Sequence, residues 1–397
     1  MREPLVKPAT TQDNSEIHMV DLRGLHARME QELDEAMKQV VHTSAFIRGH
    51  FVESFEKDLN AKMNLDGHVI GVGNGTDALS LALRAAEIQE GDEVIVPDFS
   101  FISSAEVVSE LGAIPVFADI NPETFQLDQE SAEKARTVRT KAVIVVHLFG
   151  QCADMDALLP WAETHGLKVI EDNAQSLGAE WRGRHVSGMA GMMGLMGTTS
   201  FFPSKNLGAM GDGGAVLTQN PQLADRIRRL ANHGSETKYH HTEIGVNSRL
   251  DGLQASILSA KLTQWTDMVA RRQAAANRYD ELIASSSDMK ALVSSPVREG
   301  RSTHLFHQYC VLLSKGCDRK ALVSNLQNAG IPTAVYYPTP LSSQPAFESG
   351  GGRTVEGGTP CAHEVAGRIL ALPMHTELTF GQQSRVVEEL FRLLSSR

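Results

Sequence analysis

A glycine-rich turn is the first segment whose residue types could do chemistry. The segment Gly71–Ala78 (GVGNGTDA) follows an apolar run and opens a helical pattern. Because backbone N–H groups at a helix start attract anions, we predict that Gly75 and Thr76 bind a phosphate group. The segment also fits GxGxxA, a dinucleotide-binding pattern in which Asp92 or Glu93 would bind a ribose. A plain tight turn without a ligand is the third interpretation.

A lysine and an aspartate are the next candidates. Lys205 lies in SFFPSKNLG after an apolar strand pattern, and Asp172 ends the apolar run that begins at Lys168. A lysine removed from water can act as an amine nucleophile, although a lone loop lysine is usually a solvated surface charge. A carboxylate at the carboxyl end of a parallel strand lies at the ligand-binding edge of the sheet, unless it caps the next helix.

The order of these three features matches the needs of one cofactor. A phosphate turn comes first, Asp172 follows, and Lys205 comes 33 residues later. Pyridoxal 5'-phosphate requires an anion site, an acid that keeps its pyridine nitrogen protonated, and an amine that forms a Schiff base with its aldehyde. We therefore predict pyridoxal 5'-phosphate as the cofactor, bonded to Lys205.

An α/β sheet must position these residues. Short apolar runs alternate with helical patterns, which is typical of a mostly parallel sheet covered on both faces. The predicted strands are residues 68–73, 93–99, 114–120, 141–150, 168–174, 198–202 and 214–219. Residues 249–284 have an almost unbroken helical pattern.

A change of pattern near residue 285 predicts a smaller C-terminal α+β domain. We expect an N-terminal arm and helix at 1–45, a large cofactor-binding domain at 46–284 and the small domain at 285–397. In the small domain, residues 307–313 and 332–337 are predicted strands, and the glycine-rich residues 349–358 are a predicted flexible loop.

Composition excludes several classes of protein. The chain has 397 residues, 42% of them hydrophobic, and a formal net charge of −11 without a basic stripe, so nucleic acid is not an expected partner. The four cysteines show no CxxC spacing, so we expect a reducing compartment and no metal site. There is no apolar run of about 18 residues and no signal-like start at residues 1–10, which predicts a cytoplasmic protein without a membrane span.

Six motifs together resemble one enzyme family. They are NGTDAL, EDNAQSLGA, SFFPSKNLGAMGDGGA, GVNSRLDGLQASIL, PTAVYYPTPL and ALPMH. In that combination the chain, from Val20 to its C-terminal helix, resembles the DegT-type sugar aminotransferases, which are fold type I pyridoxal phosphate enzymes. The resemblance implies that Lys205 forms the Schiff base and then moves the substrate proton. It also implies that Asp172 pairs with the pyridine nitrogen.

The resemblance implies further cofactor contacts. Phosphate would be bound by Gly75, Thr76 and Ser200, and Gln175 would lie beside the phenolic oxygen of the ring. Phe101 would stack on the pyridine face, unless it is a core residue at a strand end. Asn247 would reach the phosphate of the neighbouring subunit, which makes a homodimer the active unit, although it could also cap a helix.

Within the family, the chain most resembles enzymes that aminate C-3 of UDP-2-acetamido-2-deoxy-3-keto-glucuronic acid with L-glutamate as donor, in bacterial surface polysaccharide biosynthesis. Arg249 is the candidate for an anionic sugar group, or else forms an ion pair. His240 and Tyr337 are further substrate candidates. Tyr336 stands where that branch has histidine, which leaves the exact sugar open.

Three alternatives remain from the sequence. The first is an aminotransferase that acts on a dTDP-linked 3-keto or 4-keto 6-deoxy sugar. The second is a nicotinamide-dependent oxidoreductase that uses the GxGxxA turn, although this alternative does not explain Asp172 and Lys205. The third is a non-catalytic regulator that has kept the fold and binds pyridoxal phosphate.

Overall fold

Helices and strands alternate through most of the chain. The computed structural model describes residues 15–184, 187–348 and 351–395, so residues 1–14 of the predicted arm and helix lie outside the described residues. The first elements are α1 (Leu22–Arg28), α2 (Glu30–Thr43), α3 (His50–Lys62), β1 (His68–Val72), α4 (Gly75–Ala85), β2 (Glu93–Pro97), α5 (Ser103–Glu110), β3 (Ile114–Ala118), α6 (Gln129–Ala135), β4 (Thr140–Val146), α7 (Met155–Thr164) and β5 (Lys168–Asp172).

The second half contains shorter strands and longer helices. Its middle part comprises β6 (Glu180–Arg182), β7 (Ser187–Met189), β8 (Met196–Ser200), β9 (Gly214–Thr218), α8 (Pro221–Leu230), β10 (Ser235–Thr237), β11 (His240–His241), α9 (Gly252–Thr263) and α10 (Trp265–Ala284). Its last part comprises α11 (Ser287–Leu292), β12 (Val293–Ser294), β13 (Tyr309–Leu313), α12 (Arg319–Asn328), α13 (Pro345–Glu348), β14 (Arg353–Thr354), α14 (Pro360–Arg368), β15 (Ile369–Leu372) and α15 (Phe380–Ser395).

An eight-stranded sheet lies at the centre, in the order β1-β9-β8-β5-β4-β2-β3-β14. Strand β9 runs antiparallel to both of its neighbours, β1 and β8. The remaining neighbours are parallel. This arrangement confirms the predicted α/β fold with a mostly parallel sheet. Because β1, β4, β5 and β8 point the same way, the segments that follow them meet at one edge of the sheet.

Both faces of the sheet are buried. Along β2, Val94 and Val96 pack on one face with Leu83 of α4, whereas Ile95 packs on the other face in the same apolar cluster as Phe55 of α3. Burying one such side chain contributes about 1.5–3 kcal/mol. Helices on both faces therefore fix the sheet, and the sheet fixes the edge where the candidate residues lie.

A second, three-stranded sheet forms the C-terminal part, in the order β12-β13-β15, with both pairs antiparallel. Its core includes Leu326 of α12, Leu370 of β15 and Leu390 of α15. The segment after α12 returns to the large sheet, because Phe347 and Val365 pack in the apolar cluster on its first face. The domain division near residue 285 stays a prediction.

The predicted flexible loop at 349–358 contains a strand instead. Strand β14 pairs in parallel with β3 at the sheet edge, and an Arg353 Nη2 to Glu93 Oε2 contact of 3.1 Å holds it there. The prediction was wrong for residues 353–354 because glycine-rich composition gives no sign of a distant ion-pair partner. Ser349 and Gly350 lie outside the described residues.

Two other element predictions were wrong. Residues 249–284 form two helices instead of one. Helix α9 starts only at Gly252, and the helical conformation is interrupted at Gln264 before α10 begins. Residues 332–337 form no named strand, and only Ala334 bridges to Ala371 of β15. The backbone leaves the small sheet after this bridge and carries the two following tyrosines to the cavity described below.

Candidate active site

A cavity of about 820 Å³ opens at the edge where the parallel strands end. It is lined by Asn74, Gly75, Thr76, Asp77, Leu79, Ser100, Phe101, Ser103, Val146, Asp172, Ala174, Gln175, Ser200, Phe202, Ser204, Lys205, Asp212, His307, Gln308, Tyr336 and Tyr337. Eight of the predicted site residues therefore meet at one cavity. They are Gly75, Thr76, Phe101, Asp172, Gln175, Ser200, Lys205 and Tyr337.

Asp172 and Lys205 are two of the ionisable side chains that line this cavity. Asp172 ends β5 and is 8% exposed. Burial raises the pKa of its carboxyl group, while the Ala174 N–H, which donates a hydrogen bond of 3.1 Å, and the charge of Lys205 oppose that rise. Asp172 does not cap a helix, because the segment after β5 is a turn.

Lys205 lies five residues after the end of β8, in a turn closed by its own N–H, which donates to the Phe202 carbonyl at 2.8 Å. Its side chain is partly accessible through the cavity, and the surrounding protein lowers the pKa of its amine to about 8 by desolvation. The charge of Asp172 opposes this fall. Lys205 is therefore a desolvated amine, which is the state that favours nucleophilic attack.

The start of α4 forms another wall of the cavity. Asn74 caps this helix through its side chain, which accepts from the Asp77 N–H at 2.8 Å. The first N–H groups of a helix have no partner within it, so those of Gly75 and Thr76 are available for an anion. A Cβ atom on Gly75 would lie 2.7 Å from Ser200 Cβ. Glycine at this position thus lets the helix start approach the Ser200 hydroxyl.

Gln175 and Tyr337 join two distant parts of the chain at the cavity wall. The Phe149 N–H donates to Gln175 Oε1 at 2.8 Å, and Gln175 Nε2 donates to the Tyr337 hydroxyl at 3.0 Å. Burial raises the pKa of Tyr337, so its hydroxyl keeps its proton. The Tyr337 oxygen already accepts a hydrogen bond from Gln175, so the hydroxyl hydrogen remains available for donation to a ligand.

Phe101 has its ring on the open side of the cavity. Its side chain is 55% exposed, so the alternative that it is a core residue was wrong. The ring centroid lies 6.3 Å from that of Tyr337. An aromatic face at a cavity mouth can stack on a planar ligand, and burial under that ligand would remove its exposed surface from water.

A buried pair supports the strand ends behind Asp172. His147 Nδ1 accepts from the Ala153 N–H at 3.1 Å, so the imidazole hydrogen lies on Nε2 and is donated to Glu171 Oε2 at 2.7 Å. Glu171 also accepts from the N–H groups of Gly191 and Met193. Glu171 therefore fixes the loop between β7 and β8 (residues 190–195) against β5, next to Asp172.

Three predicted site residues lie away from this cavity. His240 of β11 and Asn247 are exposed, and Arg249 is partly exposed. Asn247 is not a helix cap, because the next helix starts at Gly252 and follows Asp251. Within the described protomer, none of the three lines the cavity.

Arg249 lines a separate cleft of about 130 Å³ beside β1, together with Arg48 and Arg228. Arg228 Nη2 binds Glu56 Oε2 at 2.9 Å, whereas neither Arg48 nor Arg249 forms an ion pair with any described residue. Burial first, and then the charges of Arg249 and Arg228, lower the pKa of Arg48. The ion-pair alternative for Arg249 therefore has no support within the described part of the protomer.

Sequence reasoning missed His307 and Gln308 as cavity residues. They come from the segment that leads into β13, whose first residue is Tyr309. His307 is 8% exposed, and burial, together with the charges of Lys205 and Arg272, lowers its pKa well below the usual range. A histidine before an apolar strand gives no sequence signal of such a position.

The cavity fits the predicted cofactor. The start of α4, with Thr76 and Ser200, supplies anion donors; Lys205 supplies the amine, and Asp172 supplies a buried carboxylate. The nicotinamide alternative fits less well. Glu93 begins β2, at the opposite edge of the sheet from the cavity, and its carboxylate is held by Arg139 and Arg353.

The described residues contain neither a membrane-spanning helix nor a metal-binding cluster. No helix among residues 15–184, 187–348 and 351–395 is long and apolar enough to cross a membrane. Within the same residues, no group of three or more histidine, cysteine, aspartate or glutamate side chains is placed to bind a metal ion.

Known proteins are similar to this chain over a region that includes all the residues lining the cavity. The model of the DegT/DnrJ/EryC1/StrS aminotransferase family matches residues 27–391. The chain is 43% identical to the pleiotropic regulatory protein of Geobacillus stearothermophilus, over 94% of this chain and 97% of that protein. It is 39% identical to the UDP-2-acetamido-2-deoxy-3-oxo-D-glucuronate aminotransferase of Pseudomonas aeruginosa, over 91% and 96%. It is 38% identical to the dTDP-3-amino-3,4,6-trideoxy-alpha-D-glucose transaminase of Streptomyces venezuelae, over 94% and 94%.

Solved structures show the same fold. A DegT DnrJ EryC1 StrS aminotransferase from Brucella abortus has a TM-score of 0.88 at 36% identity, covering 95% of this chain and 99% of that one. NtdA from Bacillus subtilis, crystallised with its bound cofactor PMP, has a TM-score of 0.85 at 28% identity, covering 97% and 87%. The chain therefore belongs to the DegT/DnrJ/EryC1/StrS family of pyridoxal-phosphate-dependent sugar aminotransferases, which have fold type I.

Proposed function

We propose that this enzyme moves an amino group from L-glutamate to C-3 of UDP-2-acetamido-2-deoxy-3-keto-glucuronic acid, for bacterial surface polysaccharide biosynthesis. One observation carries the reaction type. A desolvated lysine, Lys205, and a buried carboxylate, Asp172, lie in one cavity with the anion-binding start of α4. The Pseudomonas relative, whose name states this substrate, supports the choice of sugar.

The cofactor, when bound, supplies an electron sink that stabilises a carbanion on the substrate carbon. Asp172 would hold a positive charge on the pyridine nitrogen, because a buried carboxylate is stabilised by a nearby opposite charge. Lys205 would hold the cofactor through its aldehyde carbon until the amino group of the donor takes its place there, and the released Lys205 amine would then move the proton of the substrate carbon. A pKa of about 8 keeps part of that amine neutral near neutral pH.

We propose a homodimer in which the exposed residues of the 240–249 segment complete the partner's cavity. Asn247 would contact the phosphate of the partner's cofactor, and Arg249 would contact an anionic group of the partner's substrate. The support is their exposure in the protomer and the lack of an ion-pair partner for Arg249 among the described residues. His240 and Tyr337 remain substrate candidates.

A second candidate substrate has a specific observation in its favour. Among the described residues that line one protomer's cavity, Lys205 is the only lysine or arginine. A neutral dTDP-linked 6-deoxy 3-keto or 4-keto sugar needs no cation for its ring, and the Streptomyces relative has a name of that class. Whether Arg249 serves the site therefore separates the two candidates.

The test is a pair of half-reactions on the purified holoenzyme. Conversion of the cofactor by L-glutamate is followed by absorbance, and the aminated enzyme is then mixed with acidic and neutral keto-sugar nucleotides. We expect fastest turnover with the UDP-linked 3-keto uronic acid. Faster turnover with a neutral dTDP sugar selects the second candidate, and no cofactor conversion by any amino donor contradicts an aminotransferase.

A further inference from the structure

Lys261 of α9 is a buried cation that the proposed chemistry does not use. Its side chain is 1% exposed, and desolvation lowers the pKa of its amine to about 8. Its Nζ donates to the Gly208 carbonyl at 2.7 Å and lies 3.1 Å from His26 Nε2. No carboxylate of the described residues pairs with it. A buried charge without a counter-ion is unfavourable. If Lys261 only filled space, an apolar side chain of similar size would stabilise the fold more.

The carbonyl that Lys261 binds belongs to the turn that carries Lys205. This turn is narrow, since a Cβ atom on Gly208 would lie 2.2 Å from the Pro203 carbonyl oxygen. The next residue, Ala209, donates its N–H to the Phe201 carbonyl at 2.7 Å. A hydrogen bond at Gly208 therefore fixes both sides of the turn, and Lys205 lies between them.

A second side chain of α9 holds the same segment. Gln254 Oε1 accepts from the Met210 N–H at 2.8 Å, and Gln254 Nε2 donates to the Met210 carbonyl at 3.4 Å. Gln254 and Lys261 are seven residues apart, so both lie on one face of the helix. Helix α9 thus binds the main chain at two points, Gly208 and Met210.

His26 of α1 orients the ammonium group from the other side. Burial and the charge of Lys261 lower the pKa of His26, which favours the neutral imidazole. In the tautomer with its hydrogen on Nδ1, Nε2 accepts from the Lys261 ammonium group at 3.1 Å. Helix α1 is itself anchored, because Arg28 binds Asp267 of α10 at 3.0 Å and Glu377 at 3.1 Å. The ammonium group is therefore held between an anchored helix and the Lys205 turn.

We propose that Lys261 is a positioning residue for Lys205: its ammonium group, oriented by His26, fixes the Gly208 carbonyl and thereby the turn that presents the Lys205 amine to the cavity. The inference rests on the role of Lys205 in the proposed function. Lys261 touches neither cofactor nor substrate and acts through the main chain.

The test compares Lys261→Met, which keeps an unbranched side chain of similar length and removes its donors, with Lys261→Arg, which keeps the donors. Each holoenzyme is assayed for cofactor content by the visible absorption of the Schiff base, for kcat and KM with L-glutamate, and for melting temperature. We expect Lys261→Met to lower kcat per bound cofactor about 10- to 100-fold, with KM changed less than about twofold, because a small misplacement of a reacting group has effects of this size. Lys261→Arg should restore part of the loss.

Two further variants keep the test decisive. Lys62→Met removes an exposed lysine at the end of α3 and should match the wild-type enzyme in every measurement. If Lys261→Met does not fold, His26→Leu replaces it in the test, because this change removes the group that orients the Lys261 ammonium. We expect kcat to fall about 3- to 10-fold in that variant. Wild-type kcat per bound cofactor in the folded variant overturns the positioning role, even where the melting temperature falls. Wild-type turnover in Lys205→Ala instead overturns the Lys205 assignment.

Discussion

The side-chain amide of Gln175 lies between the Phe149 main chain and the Tyr337 hydroxyl, 2.8 Å from one and 3.0 Å from the other. These three residues belong to the segments after β4, β5 and α12, so one amide joins the edge of the large sheet to the C-terminal part of the chain. The N–H of Phe149 fixes the amide orientation, because only the oxygen of Gln175 can accept it. Tyr337 is therefore held with its own hydroxyl hydrogen available to a ligand.

Tyr337→Phe tests that arrangement. The change leaves the Gln175 amide with one donor unsatisfied and removes the hydroxyl that would contact the ligand. A neutral hydrogen bond contributes about 0.5–1.5 kcal/mol, so the specificity constant for the keto sugar should fall about 2- to 10-fold. Gln175→Glu provides the paired measurement, because it keeps the acceptor for Phe149 and removes the donor to Tyr337. No change in either variant would show that this bridge does not affect the site.

Lys205→Ala should abolish the visible Schiff-base absorption and lower turnover with L-glutamate by at least about 10²–10⁴-fold. The change removes both the covalent anchor and the group that moves the proton, and general acid–base catalysis alone accounts for such a factor. Lys205→Arg keeps a cation and should be equally inactive, since a guanidinium does not form the Schiff base. Turnover at the wild-type rate in either variant would rule out Lys205.

Schiff-base formation in cofactor-free protein should rise with pH around a midpoint of about 8. The neutral amine is the nucleophile, and burial lowers the pKa of Lys205 from 10.5 to about 8. The reaction is therefore slow below that midpoint, where the amine is protonated, and levels off above it. Stopped-flow absorbance with added pyridoxal 5'-phosphate measures the midpoint. A midpoint near 10.5 would mean that the Lys205 amine is solvated in the cofactor-free protein.

Asp172→Asn should fold and bind the cofactor but lose about 10²–10³-fold in kcat, the range observed when one preorganised electrostatic group is removed from an active site. A neutral amide cannot hold the positive charge on the pyridine nitrogen. Asp172→Glu keeps the charge and should lose less. Single-turnover conversion of the cofactor by L-glutamate isolates this step, and a wild-type rate in Asp172→Asn would contradict the role.

Local patterns in the sequence are enough to predict part of the fold. Strand β5 and the turn with Lys205 follow from apolar runs and glycine punctuation, so residue order alone places Asp172 and Lys205 at one sheet edge. Strand β14 could not be predicted, because it depends on the Arg353–Glu93 ion pair between residues 260 positions apart. Residues 332–337 have a strand composition, but only Ala334 bridges to the small sheet, and Tyr336 and Tyr337 line the cavity.

The sequence allowed prediction of those site residues whose side-chain chemistry by itself suggests a function. It did not reveal residues that only the fold brings to the site. Lys205 and Asp172 carry an amine and a carboxylate whose chemistry points to a site, whereas His307 and Gln308 reach the cavity only through the path of the chain before β13. Lys261 looks like one more helical lysine until the fold buries it against Gly208. Arg249 is the opposite case. Its residue type suggests an anion site, but within the protomer it lies in the cleft beside β1 and not in the cavity with Lys205.

Arg249→Ala tests which substrate class the enzyme uses. A charge-assisted pair contributes about 1.5–3 kcal/mol, so the specificity constant for a UDP-linked 3-keto uronic acid should fall by about one to two powers of ten. A neutral 6-deoxy keto sugar should lose far less. Because Arg249 is two residues from Asn247, sedimentation and cofactor titration must show that assembly and cofactor affinity are unchanged. Arg48→Ala is the matched variant, since it removes the neighbouring arginine of the same cleft and leaves the 247–249 segment intact. Equal losses on acidic and neutral sugars, with the cofactor retained, would remove the carboxylate assignment of Arg249 and favour the neutral dTDP-linked substrate.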